Sequence, residues 1–535
     1  MISANATLPD DPQILKGIIK DQNARHEKQI AILIEEIRLL RAQRFGRKSE
    51  KIVDFGDIEQ LLLFDEVVSP SEQAEEEGEE QDAEDGTPIS AHTRKKRGRK
   101  LLPEDLPRIE VVYDIPAEAK ICACGCEKSR IGEEVAEQLD VIPAKMQVIR
   151  HIRPKYACRR CEGVEDSGPT VVIAPPPAQM IPKSMATAGL LAHVLTAKFV
   201  DALPFYRQEK IFSRHGVELK RATMCCWAMQ VAKRCQPLFE LFREEVLAGP
   251  LIQADETTLQ VLVEKGRAPT STSYMWIFRG GNPSRPTFVY QYHPSRSGDV
   301  AAEFLRGYHG YVQTDGYGGY DFLDHWQAVV HVGCWAHARR KFTDVIKALG
   351  QSKSRKKTGL ADQAIEYIGK LYAIEKKAKE DGLDPMELHQ RRQANAVPVL
   401  MEFHVWLSKR LPEVPPKSLI GKAISYTLGQ WGRLKRYVDD GRLAPDNNLA
   451  ENAVRPFVVG RKNWLFSGVA EGATSSATLY SIIETAKANG LDPYWYLRAL
   501  FDRLPLAETR DQMHALLPQH IDRKLIGSAL RQTGG

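Results

Sequence analysis

The sequence lacks any long apolar run. No stretch reaches the roughly 18 residues that would indicate a membrane span, and the amino terminus, MISANATLPDDPQ, has no signal-peptide pattern. We therefore expect a cytoplasmic protein without a membrane partner. The apolar content of 43% is ordinary for a soluble protein, and 535 residues are too many for a single core. We expect three or more domains.

Positive charge is missing from one stretch of the chain. Residues 65–85 carry eleven acidic side chains and no Lys or Arg. Because the whole chain has a net charge of +5, the remainder carries +16, a surplus that favours a polyanionic partner. The overlapping stretch 69–88 also lacks large apolar residues and repels itself, so we expect a disordered linker there.

A basic segment, RKKRGRK, follows this linker and has six positive charges in seven residues. A flexible basic strip around one Gly resembles an AT-hook, which lies in the minor groove of DNA, although the usual Gly-Arg-Pro core is missing. A solvated basic tail explains the composition equally well. The candidate DNA contacts in this segment are Arg94, Lys95, Lys96, Arg97, Arg99 and Lys100.

Cysteine is sparse outside one cluster. Five of the nine cysteines fall within forty residues, namely Cys122, Cys124, Cys126, Cys158 and Cys161. In a long cytoplasmic protein such clustering indicates a metal site rather than a disulfide framework. Zinc takes four soft ligands in a tetrahedron, which two close pairs can supply. Cys158 and Cys161 form a regular C-x-x-C pair, whereas the first group offers only C-x-C or C-x-x-x-C spacing. We expect four of the five to bind structural zinc; a small hairpin with spare thiols is the alternative.

Residues 11–45 have the pattern of a helix. Apolar side chains at Ile30, Leu33, Ile37 and Leu40 repeat at a 3-4 spacing, which is typical of a short coiled-coil seam. An ordinary packed helix accounts for the same pattern.

The segment YRQEKIFSRHGVELKRATMCCWAMQVA has helix-turn-helix proportions. It predicts a helix ending near Arg214, a turn at Gly216, and a second helix capped around Lys220 to Thr223. Lys220 and Arg221 are therefore candidate DNA contacts. A plain helical hairpin fits the pattern nearly as well.

From residue 250 onward the pattern changes to strands. LIQADETTLQVL, SYMWIFRG and TFVYQYHP predict three antiparallel strands in hairpin order, and GDVAAEFLRGY predicts a helix. GYVQTDGYGGY predicts a strand ending in Asp315, and QAVVHVGCWAHARRKF a strand that runs into a basic helix. This is the element order of an RNase H-like core.

Acidic residues interrupt these strands. Asp255 lies inside an apolar strand, where burying an unpaired charge is costly, and Asp315 lies beside glycines that allow close approach. Each Asp alone is explained as a turn or strand-end cap. Two in the correct strand order, with Glu451 downstream, favour a site for hard divalent cations, which prefer such oxygen ligands.

Glu451 lies within the segment APDNNLAENAVRPFVVGRKNWLFSG (444–468), and basic residues follow it. A capping role is the simpler explanation, because Asn448 and Glu451 fit the N-cap and N3 positions of a capping-box variant. Glu451 could also pair with Arg455 on the helix surface. Asp446 is a rival carboxylate, but beside Pro445 we expect it to be a turn or helix-start residue.

Several of these segments resemble a known family. QADETTLQVL, QTDGYGGYDFL, GCWAHARRKF and DNNLAENAVRPFVVGRKNWLFSG are similar to signature blocks of DDE transposases of the insertion sequence 66 family. RFGRKSE, the cysteine module with IGEEVAEQLDVIPAK, and LPFYRQEKIF resemble its amino-terminal half in the same order. The resemblance covers nearly the whole chain. It departs from the family at Ile121, where a regular C-x-x-C would have a cysteine.

The resemblance implies a bacterial, DNA-associated transposase. Asp255, Asp315 and Glu451 would hold Mg²⁺ or Mn²⁺, with a helical insertion before the Glu. Water would attack the phosphodiester at the end of the element, and the released 3′-hydroxyl would attack target DNA. Implied partners are element-end and target DNA, further copies of the chain, and companion proteins of the same element.

Basic side chains near the acids are expected to face DNA or the scissile phosphate. These residues are His337, Arg339, Arg340, Lys341, Arg455, Arg461 and Lys462. Their neighbours Cys334 and Trp335 are expected to belong to the core rather than to bind metal.

We therefore expect a multidomain α/β protein whose RNase H-like core contains a helical insertion. The expected parts are a helical or coiled-coil region (1–64), a disordered acidic and then basic linker (65–105), a zinc-binding module (106–173), a helix-turn-helix-like domain (174–248), the first part of the core (249–344), the insertion (345–443), the second part of the core (444–490) and a C-terminal helical region (491–535).

Two other functions fit parts of the pattern. A zinc-containing DNA-binding regulator with an inactive nuclease fold would need the basic and cysteine-rich segments but no metal-dependent cleavage. An RNase H-like nuclease would cleave DNA without strand transfer.

Overall fold

The computed structural model describes residues 146–157, 171–348 and 359–526, with isolated positions between 11 and 26. Contacts divide the chain into two units, one of them Ser49–Ile152, and all elements described below belong to the other. The acidic linker, the basic segment, the five clustered cysteines and almost all of the N-terminal helix lie outside the described residues. What the sequence predicts for them stays a prediction.

A short hairpin and four helices precede the main sheet. They are β1 (Lys155–Ala157), β2 (Val171–Ile173), α1 (Ala188–Phe199), α2 (Phe205–Arg214), α3 (Arg221–Arg234) and α4 (Gln236–Ala248). The hydroxyl of Thr187 caps α1 by accepting the N–H of Leu190 at 3.2 Å. Helix α2 ends at Arg214, Gly216 has a φ of 77°, and α3 begins at Arg221, so the helix bounds and the turn agree with the sequence prediction.

The main sheet has six strands. They are β3 (Leu251–Val263), β4 (Thr272–Asn282), β5 (Arg285–His293), β6 (Gly310–Gln313), β7 (Val329–Val332) and β8 (Ser467–Val469). The order is β5-β4-β3-β6-β7, and β8 pairs with the far end of β3. Strand β4 is antiparallel to both β3 and β5, whereas β6, β7 and β8 are parallel to their neighbours. The three antiparallel strands and the mixed α/β core are therefore as predicted.

Strand β6 is shorter than predicted. It ends at Gln313, two residues before Asp315. The carboxylate of Asp315 accepts the backbone N–H of Tyr317 at 2.9 Å. This local hydrogen bond turns the chain out of the sheet at the acid.

The next helices in chain order begin between β5 and β6 and continue after β7. They are α5 (Gly298–Phe304), α6 (Trp335–Ala348), α7 (Leu360–Glu380), α8 (Pro385–Arg391), α9 (Val397–Arg410), α10 (Leu419–Gly429) and α11 (Trp431–Leu434). Short 3₁₀ turns lie at Gly318–His325, Leu411–Glu413 and Lys435–Asp439, and a π turn at Arg392–Ala396. Helix α6 contributes Trp335 and Phe342 to the core of the inserted helices, where Phe403 and Ile424 are also buried.

Arg392, among the described residues of the insertion, is a fully buried cation. Arg392 pairs with Glu375 through two hydrogen bonds of 2.7 and 2.9 Å and also donates to the carbonyls of Tyr437, Asp440 and Leu443. Its guanidinium therefore fixes α7 and the segment that leads to the last part of the sheet.

The final part of the described chain returns to the sheet. Its helices are α12 (Asn448–Trp464), α13 (Ala470–Ala488), α14 (Pro493–Arg503) and α15 (Arg510–His514). Helix α13 covers the edge strand β5, because the hydroxyls of Ser481 and Thr485 accept the N–H groups of Tyr290 and Phe288 at 2.8 and 3.0 Å. These bonds satisfy backbone donors that an open edge would leave available for pairing.

The predicted capping box at the start of α12 is wrong. The N-cap is Asn447 rather than Asn448, and its side chain forms no capping bond. The carboxylate of Asp446 instead accepts the N–H of Asn448 at 3.2 Å, so Asp446 is the helix-start residue that the sequence predicts. Glu451 is then the fourth residue of the helix. No helix in the described part of the chain is long and apolar enough to cross a membrane.

Candidate active site

Asp255 lies in the middle of β3, opposite Ile277 of β4. Its carboxylate accepts the N–H of Glu256 at 2.8 Å. Burial raises the pKa of Asp255 well above its ordinary value, and the charges of Glu256, Asp315 and Glu451 raise it further. Asp315, just after β6, and Glu451 of α12 are thus both close enough to Asp255 to raise its pKa.

Asp315 is bordered by a glycine that the packing requires. A Cβ on Gly316 would collide with the side chain of Tyr426, which approaches from α10. Burial, followed by the charge of Asp315, raises the pKa of the Tyr426 hydroxyl. The glycine beside Asp315 therefore allows a close approach, as the sequence predicts.

Glu451, in the first turn of α12, faces α6. Its carboxylate lies 4.0 Å from the thiol of Cys334, 3.4 Å from Nδ1 of His337 and 3.5 Å from the guanidinium of Arg340. The ligand atoms of Cys334, His337 and Glu451 all lie within 4.8 Å of one another. Among the described residues Glu451 forms no ion pair with Arg455, although the spacing within α12 allows one; it contacts α6 instead.

The thiol and the imidazole beside Glu451 are both held uncharged. Burial, followed by the charge of Glu451, raises the pKa of Cys334 to about 12. Burial lowers the pKa of His337, although the charge of Glu451 opposes this. Cys334 and Trp335 are buried, as expected for core residues, but Cys334 also contacts the acid.

Asn447 connects α12 directly to β3. Its side-chain amide donates to the carbonyl of Ala254 at 3.0 Å, and its backbone N–H contacts the sulfur of Cys334 at 3.2 Å. Because Ala254 directly precedes Asp255, this contact fixes the first turn of α12, with Glu451, beside the acid of β3.

Two buried side-chain amides connect β3, β6 and the segment before α12. Gln253 of β3 donates to Gln313 of β6 at 2.8 Å, and Gln313 donates to the carbonyl of Ala444 at 2.8 Å. Arg279 of β4 donates to Gln253 at 2.8 Å. Strand β3, which carries Asp255, and strand β6, which leads to Asp315, are thereby joined to the segment that precedes Glu451.

Glu256 is a fourth acid, and it has its own partners. Arg296 donates to it twice, at 2.6 and 2.9 Å, and the hydroxyl of Tyr320 donates at 2.6 Å. Burial raises the pKa of Glu256, whereas these hydrogen bonds lower it. The guanidinium of Arg296 also stacks on the ring of Tyr317 at 3.7 Å. Glu256 is therefore neutralised by the protein, whereas Asp255 lies among other acids.

Family models match successive parts of the chain. The model described as "Transposase IS66 family" matches residues 183–475, which is more than half of the chain and includes all three candidate acids. The chain belongs to the IS66 family of transposases.

Three further models extend the match within this transposase. They are described as "Transposase C of IS166 homeodomain" (32–111), "zinc-finger binding domain of transposase IS66" (119–162) and "IS66 C-terminal element" (481–519). The zinc-finger match spans all five clustered cysteines and supports zinc binding by that module.

Proteins of Sinorhizobium fredii are similar over most of their length. The protein y4jD is 34% identical over 466 residues, which is 84% of this chain and 87% of y4jD. The protein y4qI is 34% identical over 531 residues, covering 96% and 92% of the two chains. The protein y4hP is 29% identical over 489 residues, covering 89% and 86%.

The donor set of the transposase fits a hard divalent cation. Asp255, Asp315 and Glu451 offer carboxylate oxygens, the ligands that Mg²⁺ and Mn²⁺ prefer. The pKa of Asp255 is raised partly because other acids are near, and a cation among them would reverse that repulsion. Nδ1 of His337 is buried without a hydrogen bond among the described residues and lies 3.4 Å from Glu451.

The basic residues predicted from the sequence have different environments. Arg339 and Lys341 of α6 and Arg455 and Lys462 of α12 are exposed. Arg461 donates to the hydroxyl of Thr258 on β3 at 2.9 Å. Arg340 contacts Glu451, as described above.

The two candidate residues of the helix-turn-helix-like segment lie elsewhere. Lys220 and Arg221 are exposed at the start of α3, an element other than those that carry the three acids.

Sequence reasoning missed Glu256, Arg296, Tyr320 and Asn447. The only signal for Glu256 was its position next to Asp255 in an apolar strand, where a second buried acid needs a partner. That partner, Arg296, is forty residues away along the chain, and the spacing does not reveal it. Asn447 was passed over because adjacent asparagines before a helix suggest capping rather than a tertiary contact.

Proposed function

We propose that the transposase binds the ends of its mobile element, cleaves them to release 3′-hydroxyls, and joins those hydroxyls to target DNA. The observation that carries the proposal is the effect of Asp315, just after β6, and Glu451 of α12 on the pKa of Asp255 of β3. The transposase family model spans all three acids. The strand order, with β4 and β5 antiparallel on one side and β6 and β7 parallel on the other, supports an RNase H-like core.

The proposed reaction has two balanced steps. In the first, water attacks a phosphorus atom at the element end, a new P–O bond forms, and the bond to the 3′-oxygen of the element breaks. The 3′-oxygen leaves as a hydroxyl and the flanking strand keeps a 5′-phosphate. In the second, this 3′-hydroxyl attacks a phosphorus atom of target DNA and releases a target 3′-hydroxyl. The first step hydrolyses one phosphodiester bond, and the second exchanges one phosphodiester bond for another. Neither step needs an oxidant or reductant.

The three acids are proposed to hold Mg²⁺ or Mn²⁺. When bound, such a cation supplies Lewis-acid polarisation of the phosphoryl oxygens and lowers the pKa of water. The residues of the chain contribute position. Asn447 holds the turn of Glu451 against β3, and the amides of Gln253 and Gln313 hold β3 and β6 in register. His337, with its lowered pKa, is uncharged at neutral pH and can accept a proton near the reacting atoms.

Basic residues on both sides of the acids are proposed to bind the DNA backbone. On α6 and α12 the exposed cations Arg339, Lys341, Arg455 and Lys462 are suited to phosphate.

The basic segment 94–100 is proposed as a further contact with the DNA backbone. Neutralising it should weaken DNA binding and reduce the dependence of affinity on salt, because fewer counterions are released. An unchanged salt slope would exclude this segment as a contact.

Incubation with the element ends tests the function. Purified transposase should nick an element-end duplex at the 3′ end in Mg²⁺, and with target DNA it should give joined products. A duplex with a scrambled terminal sequence and a reaction with chelator are the matched controls. Nicking without joined products would indicate a nuclease. Specific binding with no cleavage in Mg²⁺ or Mn²⁺ would indicate a DNA-binding regulator, which the match to the transposase family does not favour.

A further inference from the structure

A carboxylate and two imidazoles meet where the C-terminal segment packs on α4. Glu245 is on α4, His514 ends α15, and His520 follows six residues later. Nε2 of each histidine lies 3.0 Å from the same oxygen, Oε1 of Glu245. The two rings stack with centroids 4.2 Å apart. None of these residues takes part in the carboxylate cluster of Asp255.

The spacing of these atoms suits a metal ion. The ligand atoms of the three residues all lie within 4.8 Å of one another. Zinc binds nitrogen and oxygen at about 2.0–2.1 Å in a tetrahedron, so two of its ligand atoms are separated by about 3.3 Å. The observed nitrogen-to-oxygen distances of 3.0 Å are within a few tenths of an ångström of that edge. A small outward movement of the two rings would accommodate the ion.

The segment that carries the histidines is fixed independently of them. The hydroxyl of Tyr496 donates to the carbonyl of Leu516 at 2.9 Å, and Arg285 of β5 donates to the carbonyl of Gln519 at 3.0 Å. The side-chain amide of Gln519 donates to the hydroxyl of Thr287. These contacts hold the residues between the histidines against α14 and β5. The binding of a metal ion would therefore cost little conformational entropy in this segment.

We propose that Glu245, His514 and His520 form a second metal site that binds Zn²⁺ or a similar divalent transition ion. Two neutral imidazoles and one carboxylate are a donor set that zinc accepts and that Mg²⁺, with its demand for oxygen ligands, does not. The three side chains are between 23% and 42% exposed, so a fourth position is open to water. The bound ion clamps the C-terminal segment to α4. Without an ion, the carboxylate accepts hydrogen bonds from both rings and the clamp is weaker.

Zinc binding by the full-length transposase tests the site. Wild-type protein and Glu245→Gln are stripped with a mild chelator, equilibrated with Zn²⁺ in excess Mg²⁺, and freed of unbound metal before their zinc content is measured. The Gln side chain keeps an oxygen that can accept hydrogen bonds from both imidazoles, but an amide oxygen is a poor zinc ligand. We expect wild type to hold one more zinc per chain than the variant, and Zn²⁺ added in excess Mg²⁺ to raise the thermal unfolding midpoint of wild type further than that of the variant.

Two further variants complete the test. His514→Gln with His520→Gln should lose the same single equivalent of zinc, whereas the cysteine module keeps its own. Arg510→Gln, which removes the neighbouring ion pair with Glu244, should keep it. Equal zinc content and equal midpoint shifts in wild type and Glu245→Gln would overturn the proposal and leave a hydrogen-bonded cluster only. Neither result depends on cleavage of DNA.

Discussion

Replacing Glu451 with Gln separates a structural role of this residue from a catalytic one. The side chain is 11% exposed, and its ionic contacts with His337 and Arg340 are long, at 3.4 and 3.5 Å. Arg340 is itself 36% exposed, so solvent screens that pair. The loss of both contacts should cost below about 1 kcal/mol of the free energy of unfolding. Gln is isosteric and keeps an oxygen facing α6, so we expect the variant to fold.

The expected effect on cleavage is much larger. If Glu451 is one of three acids that hold the cation, the change weakens cation binding. The cation stabilises the transition state by several kcal/mol, and part of that stabilisation is lost. A loss of about 4 kcal/mol corresponds to about a thousandfold slower cleavage, because about 1.4 kcal/mol is a factor of ten. Binding of element ends should persist, since the basic side chains remain.

Asp446→Asn is the matched control at the start of the same helix. Asp446 accepts the N–H of Asn448 and is hydrogen bonded to Tyr372, so its loss should cost about 1 kcal/mol of stability. It should leave cleavage within a few-fold of wild type. The assay measures nicking of a labelled element-end duplex in Mg²⁺ beside unfolding midpoints and gel-shift affinities. Near-normal nicking by Glu451→Gln would refute the assignment of this acid.

Three other perturbations have defined outcomes. Cys158→Ser with Cys161→Ser should remove about one zinc per chain from the cysteine module, measured by metal analysis, and unchanged zinc would exclude that pair as ligands. Because burial and neighbouring acids raise the pKa of Asp255, the wild-type protein loses stability as the pH rises through that raised pKa. Asp255→Asn should therefore become more stable than wild type in thermal unfolding with chelator as the pH is raised from 4 to 8, and a constant difference would contradict this cause. Arg392→Met leaves the partly buried carboxylate of Glu375 and three carbonyls without their donor and should cost about 3–5 kcal/mol in urea unfolding. Arg391→Gln, which breaks an exposed pair, should cost below about 1 kcal/mol.

The sequence predicted most of the core because its signals are local. The hairpin of β3, β4 and β5 follows from apolar runs bounded by turns, and the helix-turn-helix bounds follow from Gly216 and the flanking patterns. Asp255 and Asp315 stood out because a charge in or beside an apolar strand requires an explanation.

The parts that the sequence could not predict depend on contacts distant in the chain. The start of α12 was misplaced by one residue, because the side-chain amide of Asn447 is occupied by the carbonyl of Ala254 and the helix N–H is taken by Asp446. The spacing allowed Glu451 to pair with Arg455 within α12, yet its ionic partners belong to α6. The periodicity of the α12 sequence does not predict which helix packs against it.

The attachment of α12 at both ends to β3 has a consequence for how such proteins can diversify. Asn447 binds the carbonyl of Ala254 before the helix, and Ser467 pairs with Val261 just after it. Contacts with β3 thus determine the position of Glu451. The length of the segment between Asp315 and Glu451, which is more than one hundred residues, does not. Doubling the length of a flexible connection costs only about 0.6 kcal/mol. The intervening segment can therefore grow, shrink or be exchanged during evolution while the separation of the acids stays the same.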